Sequence, residues 1–227
     1  MEIGLIGVGR MGRELARRLK DHVSLTAFDR DSASLAAVQN KLGISTAASI
    51  SQLATLGTVI LAVPDAEVIN CVKELNESKV RVRVVNIATN VNQSALEQSA
   101  GQQVRCINVK FVAHAGEMAL GIDPVIIVNE YPPDLAEMAK RIFAPVGKVV
   151  VGQADLVRFI NRTAAEKALE AAVNIEESLH QGGVSEPEIV RSAIRHVAAG
   201  VLKAYADQDL GPFALDVVRS VRAKIKK

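Results

Sequence analysis

Three observations predict an α/β fold, a doubly wound sheet followed by a small all-helical unit. From Glu2 to about Val151 short runs rich in Val and Ile alternate with helical stretches; after Gly152 the strand signals stop; and the remainder is helical with Ala-rich faces. Alternation of this kind gives a parallel sheet with helices on both of its faces. The change of pattern places a domain boundary at 152, between a sheet domain over 1–152 and a helical one over 153–227.

Taken in order, Ile3 to Ile6, Ser24 to Phe28, Thr58 to Val63, Val82 to Ile87, Val104 to Val109, Val125 to Val128 and Lys148 to Val151 read as strands. Several are apolar throughout, as strands buried on both faces are. Helices fill the gaps at Met11 to Lys20, Ala33 to Leu42, Ile50 to Leu56, Ala66 to Glu77, Gln93 to Ser99 and Pro133 to Phe143. Beyond the boundary, Val157, Ile160, Ala164, Ala168, Ala171, Ile175 and Leu179 recur every three or four residues. That spacing predicts one helix from Ala154 to about Gln181, roughly 40 Å long. Gly182 and Gly183 end it. Ser185 with Glu188 three residues on signals a capping box for the next helix, whose apolar face carries Ile189, Ala193, Val197 and Val201. Gly211 and Pro212 break the chain before a last helix. Its basic tail, Arg219, Arg222, Lys224, Lys226 and Lys227, suits the negative end of a helix dipole.

Composition narrows the function classes. Apolar residues make up 49% of the chain, enough for a real core. With 27 Lys and Arg against 25 Asp and Glu the net charge is +2, which gives no electrostatic reason to expect nucleic acid or an anionic membrane as a partner. The Phe and Tyr residues are scattered and never alternate with basic ones as a base-stacking platform requires. Cys71 and Cys106 have neither the spacing of a redox pair nor the companions of a zinc site, so reduced buried thiols, no metal centre and a cytoplasmic compartment are expected. A strand signal starting at Glu2 leaves no room for a signal peptide, and no run approaches the ~20 apolar residues of a membrane span.

The strongest local pattern is Gly7-Val8-Gly9-Arg10-Met11-Gly12, which follows the strand Ile3 to Ile6 and opens the first helix. In that context Gly7 permits a tight turn, Gly9 lets a pyrophosphate approach the backbone, and Gly12 lets helix and strand pack. The second strand ends at Asp29, where a carboxylate can accept from adenosine ribose hydroxyls. The pattern is that of a Rossmann-type dinucleotide site, against the plainer reading that these glycines only make a turn. Asp29 favours NAD; NADP remains open because Arg30 beside it can pair with a 2′-phosphate. Without that phosphate Arg30 is a solvated loop residue. Val63-Pro64 and Ala88-Thr89 end the third and fourth runs and are expected to line the same crevice.

These residues resemble the group that includes pyrroline-5-carboxylate reductases and β-hydroxyacid dehydrogenases. Gly4 to Gly12, Leu61-Ala62-Val63-Pro64 and Asn86-Ile87-Ala88-Thr89 are similar to that group's cofactor-domain landmarks. Val104 to Asn108, Gly121 and Ala144 to Val150 resemble later reductase segments, and Asp155-Leu156, Ile175-Glu176 and Gly200-Val201-Leu202 fall where the reductases' dimerisation helices have similar residues. The resemblance implies hydride transfer from a nicotinamide to a small imine or keto acid, and a homodimer formed through the helical unit. The small residues along the long helix point to the same homodimer. Packing of that face on the chain's own sheet domain is the alternative.

The departures are specific. Ala165-Glu166-Lys167-Ala168-Leu169 stands where reductases carry Gly-Ser-Gly-Pro-Ala, and Asn161 where they carry a threonine. The dehydrogenases' catalytic lysine and asparagine fall near Arg158 and Asn161, and an arginine that stays protonated is a poor general acid. A protonated imine needs no strong protein acid, which favours an imine over a ketone. His114, in the loop after the fifth run, is the first catalytic candidate, as proton donor or carboxylate binder; the plainer reading is a loop histidine satisfied by backbone. Arg158, Asn161, Lys167 and Lys110 follow, each alternatively a solvated or helix-capping side chain. Two functions are carried forward, an NAD(P)-dependent oxidoreductase and a non-catalytic dinucleotide-binding sensor or partner protein.

Overall fold

The computed structural model describes residues 1–225. Lys226 and Lys227, the end of the basic tail, lie outside the described residues. The sheet has the strands β1 (Glu2–Ile6), β2 (Ser24–Phe28), β3 (Ser45–Thr46), β4 (Thr58–Leu61), β5 (Val82–Asn86), β6 (Val104–Val112), β7 (Val125–Asn129) and β8 (Lys148–Gly152). Their order is β3-β2-β1-β4-β5-β6-β7-β8. The chain winds outward from β1 in one direction to β3, then returns to β4 and winds the other way. The reversal between β1 and β4 opens a crevice beyond the carboxyl ends of these strands.

Helices α1 (Arg10–Leu19), α2 (Ser32–Leu42), α3 (Ile50–Ala54), α4 (Asp65–Asn76), α5 (Gln93–Ser99), α6 (Ala115–Ala119) and α7 (Pro133–Phe143) connect the strands. Alternate strand residues feed two cores. Leu5, Ile60, Val85 and Ile107 join Leu15, Leu19 and Phe143 in one, whereas Ile6, Val59, Val84 and Cys106 join Leu53, Cys71 and Leu75 in the other. Phe111 of β6 and Phe143 of α7 meet edge to face with ring centroids 5.8 Å apart.

One expectation about direction is corrected. From β1 through β6 the paired strands are parallel, but β7 runs antiparallel to β6, with Val109 opposite Val128 and Val112 opposite Val125. A parallel return needs a crossover long enough to retrace the sheet. The connection here holds only the five-residue α6, so the chain turns back at the end of β6. Two short elements, β3 and α6, had no separate sequence signal.

Contacts divide the chain into one unit from Met1 to Arg162 and a second from Thr163 onward. The long helix α8 (Leu156–Gln181) begins in the first and continues through the second. It is followed by α9 (Pro187–Ser192), a π-helical stretch (Ala193–Ala198), α10 (Ala199–Ala206) and α11 (Pro212–Ile225). The expected capping box does not form. Pro187 is the first helical residue and Glu186 the cap, without a side-chain hydrogen bond, while Glu188 pairs with Arg191 at 3.0 Å. Proline has no N–H to cap and its fixed φ starts the helix unaided. Among the described residues of the second unit Val190 alone is buried.

Candidate functional site

The glycine turn lies where β1 meets α1. Gly7 has a φ of +96°, and a Cβ there would overlap the Ala62 carbonyl at the end of β4. At Gly12 a Cβ would overlap the Gly7 carbonyl oxygen. Both glycines are thus required by the protein's own packing. Gly9 differs: a Cβ there would meet no atom within 4 Å, so the space beside it is open. Gly9 is also the N-cap of α1, with no side-chain cap and no acidic residue in the first turn. The backbone N–H groups of Arg10, Met11 and Gly12 have no intrahelical acceptor, which makes this helix end a place for an anion.

Beside the turn lies a cleft of about 340 Å³, lined by Gly7, Gly9, Asp29, Arg30, Val63 and Pro64 together with Ile6, Phe28, Ser34 and Glu67. Asp29 Oδ2 accepts from the Val8 N–H at 2.7 Å and Oδ1 from the Asp31 N–H at 2.9 Å. The carboxylate therefore holds the glycine turn to the end of β2, and each oxygen keeps a lone pair for a further donor. Arg30 is exposed but paired, its Nη1 2.7 Å from Glu67 Oε2 of α4. The Cys71 thiol borders the same cleft, and burial pushes its pKa up to about 11. Of the remaining cofactor candidates, Arg10 and Met11 offer backbone N–H groups only, with the Arg10 side chain on a separate groove beside Arg13 and Lys41.

Ala88 and Thr89 follow the end of β5 within a polar network. Asn86 Nδ2 donates to Asn108 Oδ1 at 2.8 Å, Asn108 Nδ2 donates to Asp155 Oδ1 at 2.8 Å, and Asp155 Oδ2 accepts from the Gln93 N–H at 3.0 Å. Lys110 is fully buried within it. Its Nζ donates to the carbonyls of Ala88 and, at 2.9 Å, of Val91. The solvated or capping reading of Lys110 is thereby corrected. Strand periodicity marks a position as inward or outward, and Lys110 occupies an inward one, with its ammonium on two loop carbonyls. Desolvation pulls its pKa down to about 8, against the attraction of Asp155 and Asp65. Asn86, Asn108, Gln93 and Asp155 were missed as a group; only Asn86 and Asn108, polar residues inside apolar strands, carry a sequence signal.

His114 caps α6. Its exposed ring accepts from the Gly116 N–H at Nδ1, 3.2 Å away, so a neutral ring carries its proton on Nε2. Asn161 Nδ2 donates to the Phe111 carbonyl at 2.8 Å, which ties the start of α8 to the far end of β6. Arg158, one turn earlier on the same helix, is exposed. Lys167 belongs to the second unit, where its ammonium meets Glu170 at 2.6 Å. Among the described residues no three His, Cys, Asp or Glu side chains are placed to hold a metal ion, and no helix is long and apolar enough to cross a membrane.

No curated protein sequence matches the chain. Solved structures do. A pyrroline-5-carboxylate reductase from Coxiella burnetii is 18% identical over 96% of this chain and 84% of its own, with a TM-score of 0.71. An imine reductase from Streptomyces aurantiacus is 16% identical over 96% of this chain and 78% of its own, at a TM-score of 0.70. A pyrroline carboxylate reductase from Plasmodium falciparum with NADP bound is 15% identical over 99% of this chain and 90% of its own, at 0.61. At these identities the likeness is one of fold alone. Residues 2–153, well over half of the chain, match the NAD binding domain of 6-phosphogluconate dehydrogenase, and with the glycine turn, the open helix end and Asp29 in place the chain belongs to that family.

Proposed function

We propose that the protein is an NAD(P)-dependent oxidoreductase that reduces a small imine or keto acid. The observation that carries the cofactor half is the uncapped, acid-free start of α1 beside the open face of Gly9, with Asp29 across the cleft. A pyrophosphate suits the free N–H groups and ribose hydroxyls suit the Asp29 carboxylate. NAD is favoured, because Asp29 repels a 2′-phosphate and Arg30 is already engaged by Glu67. The other half of the dinucleotide would lie over the ends of β4 and β5, against Val63-Pro64 and Ala88-Thr89. When bound, the reduced nicotinamide supplies a hydride.

The chain's own residues orient the acceptor and move a proton. In this reading the His114 Nε2–H donates to the nitrogen or oxygen that gains the electron pair, and Asn161 with Arg158 orients a polar or carboxylate group of the substrate. The similarity in fold to imine and pyrroline-5-carboxylate reductases supports the imine side. Loss of absorbance from NADH, followed over a panel of cyclic imines and keto acids, tests the reading. One or more members of the panel should be reduced, and His114→Ala should lower turnover about a hundredfold with cofactor affinity unchanged. Tight cofactor binding with no turnover on any member would favour the sensor reading.

The helical unit, residues 153–227, is proposed to be covered by a second copy of the chain. Leu169, Val197, Leu202 and Phe213 are more than half exposed, and from Thr163 onward the described helices bury Val190 alone, too little core to hold them.

A further inference from the structure

Lys110 is a buried charge that the proton and hydride chemistry leaves without a task. Its two acceptors do not need it. The Ala88 carbonyl also accepts from Asn86 Nδ2 at 3.4 Å, and the Val91 carbonyl from Asn108 Nδ2 at 3.0 Å. Asn90, between them, is held separately by Asp65 through its N–H at 3.0 Å and its Nδ2 at 2.7 Å. The loop from Ala88 to Val91 is therefore hydrogen-bonded without a cation. Placing an ammonium fully under it carries a desolvation cost that an apolar side chain of similar length would avoid. Such a charge calls for a reason outside packing.

An oxidised nicotinamide ring bears one positive charge and the reduced ring bears none. A fixed cation beneath the loop that borders the ring raises the energy of the oxidised form and leaves the reduced form unaffected. Resting on the dinucleotide reading above, we propose that the buried Lys110 ammonium makes this site take the reduced nicotinamide in preference to the oxidised one. Lys110 is a positioning residue: it touches the loop that carries Thr89, and acts on the ring through its field. The charges that act on Lys110 are Asp65, from the first turn of α4, and Asp155, ahead of α8. α5 contributes Glu97, which accepts from Gln93 Nε2 at 2.8 Å in the same network, and β5 and β6 contribute Asn86 and Asn108, which do not titrate. The two aspartates offset part of the field, so the preference is moderate. Because Lys110 loses its proton near pH 8, the preference weakens as pH rises through that value.

Calorimetric titration of the full chain with NADH and with NAD+, at several values from about pH 6.5 to about pH 9.5, reads the effect directly. In the wild type the ratio of the Kd for NAD+ to that for NADH should fall about three- to tenfold across that range. Lys110→Met should show the low ratio at every pH, with both cofactors still bound. A wild-type ratio independent of pH overturns the inference, as does a Lys110→Met protein that keeps the wild-type ratio. Should that variant fail to fold, Lys110→Gln, which removes the charge and keeps a donor for the two carbonyls, is read in the same way. Failure of the wild type to bind either cofactor is a different result, which removes the dinucleotide reading and this inference with it.

Discussion

Asp29 and Arg30 occupy adjacent positions and have opposite consequences for the cofactor. The Asp29 carboxylate is part of the turn itself, since the Val8 N–H points into it; the same oxygens are the ones a ribose would use. Arg30 could reward a 2′-phosphate, but its guanidinium lies 2.7 Å from Glu67. Both side chains are substantially exposed, so the pair is worth little to the fold. Its effect is on choice of cofactor. Replacing Glu67 with Gln releases Arg30, and NADPH affinity should rise about fivefold with NADH affinity and melting temperature nearly unchanged. Parallel titrations of the wild type and Glu67→Gln check this.

The β1-turn-α1 element separates what folding needs from what binding needs. Gly12→Ala pushes a methyl group into the Gly7 carbonyl and should cost about 2–3 kcal/mol of stability, read as a lower melting temperature. Gly9→Ala meets no atom and has a negative φ at which alanine is at ease. It should leave melting unchanged and weaken cofactor binding at least about tenfold, because the methyl group would stand where the pyrophosphate approaches. This element was legible because strand, glycine spacing and helix fall in one unbroken stretch with a mechanism for each residue. The direction of β7 was not, since an alternating apolar run has the same pattern read either way, and only the length of its connection decides. Lys110 was not legible either. A single lysine in a strand is usually solvated, and its acceptors, Ala88 and Val91, lie on a different strand end far away in sequence. The capping box over Ser185 misled because Pro187 starts the helix without a cap.

At the scale of the whole molecule, the sheet unit has a closed interior on both faces, whereas the helical unit buries Val190 alone among its described residues. If a second copy covers the helices, sedimentation equilibrium should give twice the chain mass, and Val197→Asp should shift it toward the monomer; a wild-type monomer at micromolar concentration would oppose the homodimer. Both the reductase reading and the redox preference depend on one prior fact, that a dinucleotide binds at the start of α1. Calorimetric titration of the wild-type chain with NADH tests that fact most directly. One site per chain is expected, with NADH bound more tightly than NADPH and the binding weakened by Gly9→Ala. No heat of binding with either cofactor, from a protein that melts cooperatively, would contradict it.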